Sequence, residues 1–242
     1  MTVTIYVFFE DRLAQGAATQ LLDRLVRERV NEPWLRELWA DSLAAARTYV
    51  PLFPRSQARI PSNLDGRAKD LYRGYRAALA EQQRGLGDAV LLFAFDSDSI
   101  EPLLRARAGV ERVRALHDDQ LPLVIAEPTP EFDAWVLMGH EPAQTHEHEA
   151  LKEVHDELTF DPRERPHALN STTGNHRDAK KLCARVLCLQ QQAAPDDPRV
   201  MDALDAPIAL LLRRGAQAGF PEFVSDVDNQ LLPLLGDRSR IG

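Results

Sequence analysis

Three features of the 242-residue chain predict an α/β fold: a mostly parallel sheet with helices on both faces, followed by a helical C-terminal portion. Short apolar runs, VTIYVFF at 3–9, AVLLFAF at 89–95 and LPLVIAE at 121–127, alternate with longer stretches of helical periodicity. These runs are apolar at consecutive positions, as strands buried on both faces require. Beyond Trp135 such runs stop, and only helical patterns follow.

The first run ends at Glu10-Asp11, so a buried strand delivers charge to its carboxyl edge. From Arg12 to Val30, Leu13, Ala17, Leu21, Leu22, Leu25 and Val26 repeat at helical spacing, and Asn31 and Pro33 end the pattern. Pro33 suits a first helical turn, so a second helix is expected from there to about Tyr49, with Pro51 beyond its end and a loop after it. A third helix is expected near Asp65 to Arg84, stopped by Gly85 and Gly87 before the second strand, which ends in Asp96-Ser97-Asp98. A helix from Ile100 to about Ala108 and the third strand at 121–127 complete the alternation. The His- and Glu-rich segment GHEPAQTHEHE reads as a linker, followed by helices at 147–158 and near 176–192, 198–214 and 221–235. The division expected is an α/β core over residues 1–138 and a helical region over 139–242 packed upon it.

At about 150 residues per domain, the length is long for one domain and short for two. Hydrophobic content of 44% with 27% charged residues is ordinary globular composition and excludes a wholly disordered or collagen-like chain. No apolar run approaches the ~20 residues of a membrane span, and MTVTIYVFFEDR lacks the basic start of a signal peptide, so a soluble, cytoplasmic protein is expected. Cys183 and Cys188, five apart in a helical stretch, are expected as free thiols. The net charge of −8 is uneven: residues 1–90 carry 13 basic and 11 acidic residues, leaving 16 basic and 26 acidic in the rest.

Two strands each ending in acid are the most informative feature. In a parallel sheet such ends converge, and ligands bind outside the carboxyl ends of strands. Asp96 and Asp98 are two apart, so both face the same way if extended geometry persists, an arrangement suited to one hard divalent cation. Mg²⁺ takes a few carboxylates together with waters and phosphate oxygens. The same acids also suit solvated loop starts and helix caps, with Asp98 or Ser99 capping the next helix.

An apolar first strand ending in Glu, a helix, and a later apolar strand ending in Asp-x-Asp are the motif order of TOPRIM domains, which this chain resembles over residues 3–30 and 88–138. AEPTPEFDAWVLM at 126–138 also resembles the P-E-x-E-A-W-L-L signature of small TOPRIM-like proteins of bacterial anti-phage loci, related to OLD-type nucleases. Pro130, Glu131, Asp133, Ala134 and Trp135 carry that match, with Asp133 standing where the signature has glutamate. The resemblance implies that Glu10 is a general acid or base and that Asp96 and Asp98 bind Mg²⁺ (or Mn²⁺). Family members usually have glycine after the motif glutamate; here Asp11 occupies that place, closing the backbone to a phosphate or adding a metal ligand. Glu131 and Asp133 are either further metal ligands or the acidic first turn of a helix beginning after Pro130.

Residues 55–76 form the most basic stretch, where Arg73 and Arg76, with Tyr72 and Tyr75, either contact phosphates and stack on bases or line a solvated helix with its tyrosines in the core. Residues 170–187 place small polar residues and Gly174 ahead of a helix bearing Lys180 and Lys181, a setting for phosphate without the spacing of a Walker A loop. His140, His146, His148 and His155 fall among glutamates, which suits either zinc or a solvated linker. No GxSxG or GxGxxG motif is present, which makes acyl and hydride transfer poor expectations.

The expected function is therefore a Mg²⁺-dependent phosphodiesterase cutting DNA or RNA. By resemblance it would be the effector of an anti-phage defence system, regulated by a separate ATPase partner, with self-association left open. The alternative is a non-catalytic TOPRIM-like subunit docked on that ATPase.

Overall fold

The computed structural model describes residues 3–30, 33–40, 47–51, 66–83, 88–97, 115, 121–190 and 192–236. Four strands, β1 (Val3–Phe9), β2 (Arg47–Pro51), β3 (Asp88–Ala94) and β4 (Leu123–Ala126), form one parallel sheet in the order β2-β1-β3-β4. Val3 pairs with both Arg47 and Asp88, and Leu91 pairs with Leu123. Beyond the strands the β1–β3 and β3–β4 seams continue, with Glu10 N–H donating to the Ala94 carbonyl and Phe95 N–H to that of Ala126.

Alternation along these strands divides the interior in two. Val3, Ile5, Val7, Val90, Leu92, Ala94, Val124 and Ala126 join one apolar cluster. Tyr6, Phe8, Ala89, Leu91, Phe93, Phe95, Leu123 and Ile125 join the other. Helix α1 (Arg12–Arg29) covers the first face with its Leu13, Ala17, Leu21, Leu22 and Leu25 stripe. Helix α3 (Gly66–Gln82) covers the second through Leu71, Tyr72, Tyr75 and Leu79, above stacked Phe8, Phe93 and Phe95.

Helix α2 (Pro33–Ala40) is shorter than the sequence pattern suggests, because Thr48, Tyr49 and Val50 form β2 instead of continuing it. β-branched and aromatic residues fit a pleated edge beside β1 better than a helix end, and no strand had been expected there. The Tyr49 hydroxyl and the Trp39 indole both donate to Asp23 Oδ1 of α1, which ties this edge to the core. From β1 the chain moves one way to β2, then returns past β1 to β3. The order therefore reverses between β1 and β3, with α1 and α3 on opposite faces.

After β4 come α4 (Phe132–Gly139), α5 (Thr145–Leu158), α6 (Ala179–Val186), α7 (Pro198–Leu204), α8 (Ile208–Arg214), α9 (Phe220–Asp226), a π-helical turn at Val227–Leu231 and α10 (Leu232–Gly236). The expected helix at 198–214 divides at Pro207, which lacks an N–H for a continuous ladder. All these helices add to the first cluster, which runs without a break from Val3 to Leu231. Its centre is α4, every residue of which is buried; Trp135 packs on Phe132, Phe220 and Phe223 and donates its indole N–H to the Ala218 carbonyl at 2.7 Å. Gly139 is required here, since a Cβ would lie 1.9 Å from the Ala203 carbonyl oxygen of α7. Buried Arg214 ties α8 to the carboxyl end of α4, donating to the Met138 carbonyl at 3.0 Å and pairing with Glu141 and Glu164.

The open edge of β4 is partly closed by Asp226, which accepts from Ile125 N–H at 3.0 Å. Cys183 and Cys188 are free. Among the described residues no helix is long and apolar enough to cross a membrane.

Candidate functional site

The carboxyl ends of β1, β3 and β4 share one edge of the sheet, with the order reversal between β1 and β3. Glu10 and Asp11 follow β1 directly, and both are exposed. Asp96 follows β3 by two residues, fixed by its neighbour Ser97, whose N–H donates to the Pro128 carbonyl and whose hydroxyl lies 2.8 Å from that of Thr129. Glu131 and Asp133 come from the segment after β4, just past the cis Thr129–Pro130 bond, and both are almost fully buried.

Three helices begin at this cluster, each capped by one of its acids. Asp11 Oδ1 accepts Ala14 N–H of α1 at 2.8 Å. Asp96 Oδ1 accepts Phe132 N–H of α4 at 3.0 Å, a cap supplied from another strand. Glu131 Oε1 accepts Lys180 N–H of α6 at 3.1 Å, beside the local Asp178 cap. The amino ends of helices carry partial positive charge, so three of them meeting acids partly offset the cost of gathering those acids.

The offset is incomplete. Burial, reinforced by Glu131, Glu10 and Asp11, raises the Asp96 carboxyl to about 7 despite its bond from Phe132. Burial and Asp133 raise Glu131 to about 7 against the pull of Lys180, and burial with Asp96 and Asp11 does the same to Asp133. Asp133 Oδ1 is buried and accepts no hydrogen bond from any described residue. Lys180 answers the cluster, its Nζ 3.4 Å from Glu131 Oε2, and its pKa is raised by Glu131, Asp96 and Asp133 against the opposing effect of burial. Cys183 is wholly buried on α6, and its thiol is pushed well up by burial and by Asp133 and Glu131.

Of the residues singled out from the sequence, Glu10, Asp11, Asp96, Glu131, Asp133 and Lys180 are thus brought together. Asp98 lies outside the described residues. Lys181 is exposed one residue further along α6. Arg73 pairs with Asp70 at 3.1 Å and Arg76 is exposed, both on α3 over the opposite sheet face. Tyr72 and Tyr75 are core residues, Tyr75 accepting Leu121 N–H at 2.7 Å, so neither offers a ring to a base. Helix α5 starts at Thr145, which places His146 and His148 on a helix and not in a linker. His140 is buried where α4 ends, and its pKa is lowered by burial. Among the described residues, no group of three or more His, Cys, Asp or Glu side chains is placed to hold a metal ion.

The sequence reading missed Glu127, 1% exposed at the end of β4, against whose carbonyl Gly219 packs so closely that a Cβ would lie 2.4 Å away. The signal was present, since LPLVIAE is a third apolar run ending in acid. Cys183 could not have been found this way, because Asp133 is 50 residues distant. Comparison with protein-family models, curated proteins and solved structures finds no match, so the chemistry of the site is read from its own residues.

Proposed function

We propose that the chain is a Mg²⁺- or Mn²⁺-dependent phosphodiesterase acting on nucleic acid. The observation that carries this reading is one edge where acids from three strand ends meet three helix amino ends and one lysine. Phosphate and hard cations both favour that combination.

The donor set suits a hard divalent ion. Its oxygens are carboxylates, Asp133 Oδ1 accepts no hydrogen bond from any described residue, and burial, with the neighbouring acids, raises Asp96, Glu131 and Asp133 to about 7. Asp96 and Asp133 would hold the ion, with Asp98 added by resemblance. Such an ion polarises a phosphate and offsets the charge that develops on it. Glu10, exposed at the end of β1, can take a proton from water or return one to the leaving oxygen. Lys180 presents its ammonium to the same edge and would steady the phosphate as it shifts from Glu131. The resemblance adds an ATPase partner and an anti-phage setting; the carboxylate chemistry requires neither.

The test is cleavage of labelled single-stranded DNA, duplex DNA and a tRNA pool with Mg²⁺ or Mn²⁺, comparing the wild type with Glu10→Gln and Asp96→Asn. Cleavage lost in both folded variants supports the reading and names the substrate. No cleavage by the wild type, persisting after a candidate ATPase partner is added, would replace this reading with the non-catalytic docking subunit.

A further inference from the structure

We infer that a cavity bordered by Asp11 receives one unpaired guanine of the nucleic-acid substrate; this rests on the phosphodiesterase reading. The cavity measures about 520 Å³ and is lined by Asp11, Arg12 and Leu13 from the start of α1 and by Ala193–Asp196 from the segment between α6 and α7. That volume falls within the ~300–1,000 Å³ of sites that take a small organic ligand, enough for a single nucleoside.

The wall is built by close packing. Gly16 lets the Pro195 ring settle on α1, since a Cβ at position 16 would lie 2.2 Å from Pro195 Cβ. Leu13, Ala193, Ala194 and Pro195 give small apolar surfaces suited to a flat base, whereas a paired base has its edge engaged and its faces stacked. The polar groups bounding that surface are two carboxylates and one guanidinium. Asp196 is exposed, and a carboxylate matches the adjacent N1–H and N2–H donors of guanine with its two oxygens. Uracil and thymine flank their single N–H with carbonyls that a carboxylate repels. Arg12 supplies a cation for the attached phosphate. Asp11 belongs both to this wall and to the carboxylate cluster, so a base seated here lies at the border of that cluster.

The experiment is calorimetric titration of the full chain with GMP, AMP, CMP and UMP, repeated on Ala194→Trp, which fills the cavity, and on Asp196→Asn. Thermal melting of each variant confirms its fold. The wild type should bind GMP at least about tenfold more tightly than UMP. Ala194→Trp should lose that binding, and Asp196→Asn should level the preference. Equal binding of GMP and UMP, or GMP binding untouched by Ala194→Trp, would overturn the assignment. The two readings separate cleanly: nucleic-acid cleavage without GMP binding removes the guanine pocket alone, and GMP binding sensitive to Ala194→Trp without any cleavage supports the pocket while removing the phosphodiesterase reading.

Discussion

Lys180 holds Glu131 twice, through its backbone N–H to Oε1 at 3.1 Å and through its Nζ, 3.4 Å from Oε2. The first contact joins α6 to the start of α4 irrespective of the side chain at position 180. The second is the charge compensation available to Glu131 from Lys180.

Lys180→Gln removes only the second contact, leaving a buried carboxylate facing Asp133 with less to offset it. The loss should be roughly 1–3 kcal/mol at pH 8, between the values for exposed and buried pairs, because Lys180 is partly exposed. It should shrink at pH 6, where Glu131, with its pKa near 7, carries a proton. Urea denaturation in EDTA at the two pH values measures this; equal losses at both would mean that the pair contributes no charge-dependent stability.

Stability of the metal-free protein should fall between pH 6.5 and 8. Asp96, Glu131 and Asp133 have folded values near 7, above their ordinary 3.8 to 4.5, so the folded state holds protons that the unfolded state has released. Their contribution is complete below about pH 4 and disappears as pH rises through 7. His140 and His167, whose values are lowered, act only below their ordinary 6.5, outside this window. The Tm should drop by roughly 2–4 °C for each kcal/mol lost. Millimolar Mg²⁺ should restore it at pH 8 by binding the folded state; a flat profile in EDTA would contradict the charge balance described.

Glu10→Gln and Asp96→Asn should each lower cleavage by about 10²–10⁴-fold, the range for loss of acid–base or electrostatic catalysis. Asn at 96 can still accept the Phe132 N–H, so α4 keeps its cap and the fold survives. Circular dichroism and melting curves check that survival, and Asp96→Asn should also weaken the fall in stability with pH.

Gly139→Ala should cost about 1–3 kcal/mol or more, since its Cβ would collide with the Ala203 backbone and α7 would have to move. Chemical denaturation tests this away from any question of activity. A neutral result would mean that the α4–α7 contact gives way readily.

The main strands and α1 were legible because their signals are local: consecutive apolar runs and an uninterrupted 3.6-residue stripe. β2 was not, since Pro33 opens a helix and the following residues continue a plausible apolar pattern as far as Tyr49. What makes Thr48–Val50 a strand is the vacant edge of β1, a partner more than 40 residues away. The break at Pro207 was legible in principle, but apolar periodicity on both sides hid it.

Sequence alone determined that this chain is an α/β protein with a helical C-terminal portion, and that the strands now seen as β1 and β3 are each followed by acid. Tertiary structure decided which acids meet. Glu131 and Asp133 look like any acidic first helical turn, and they join Asp96 because Asp96 caps their helix from the neighbouring strand. Lys180 joins because Glu131 caps the helix that carries it. Helix amino ends must find acceptors wherever the chain supplies them, and here those acceptors lie 36 and 49 residues away, beyond the reach of any local pattern.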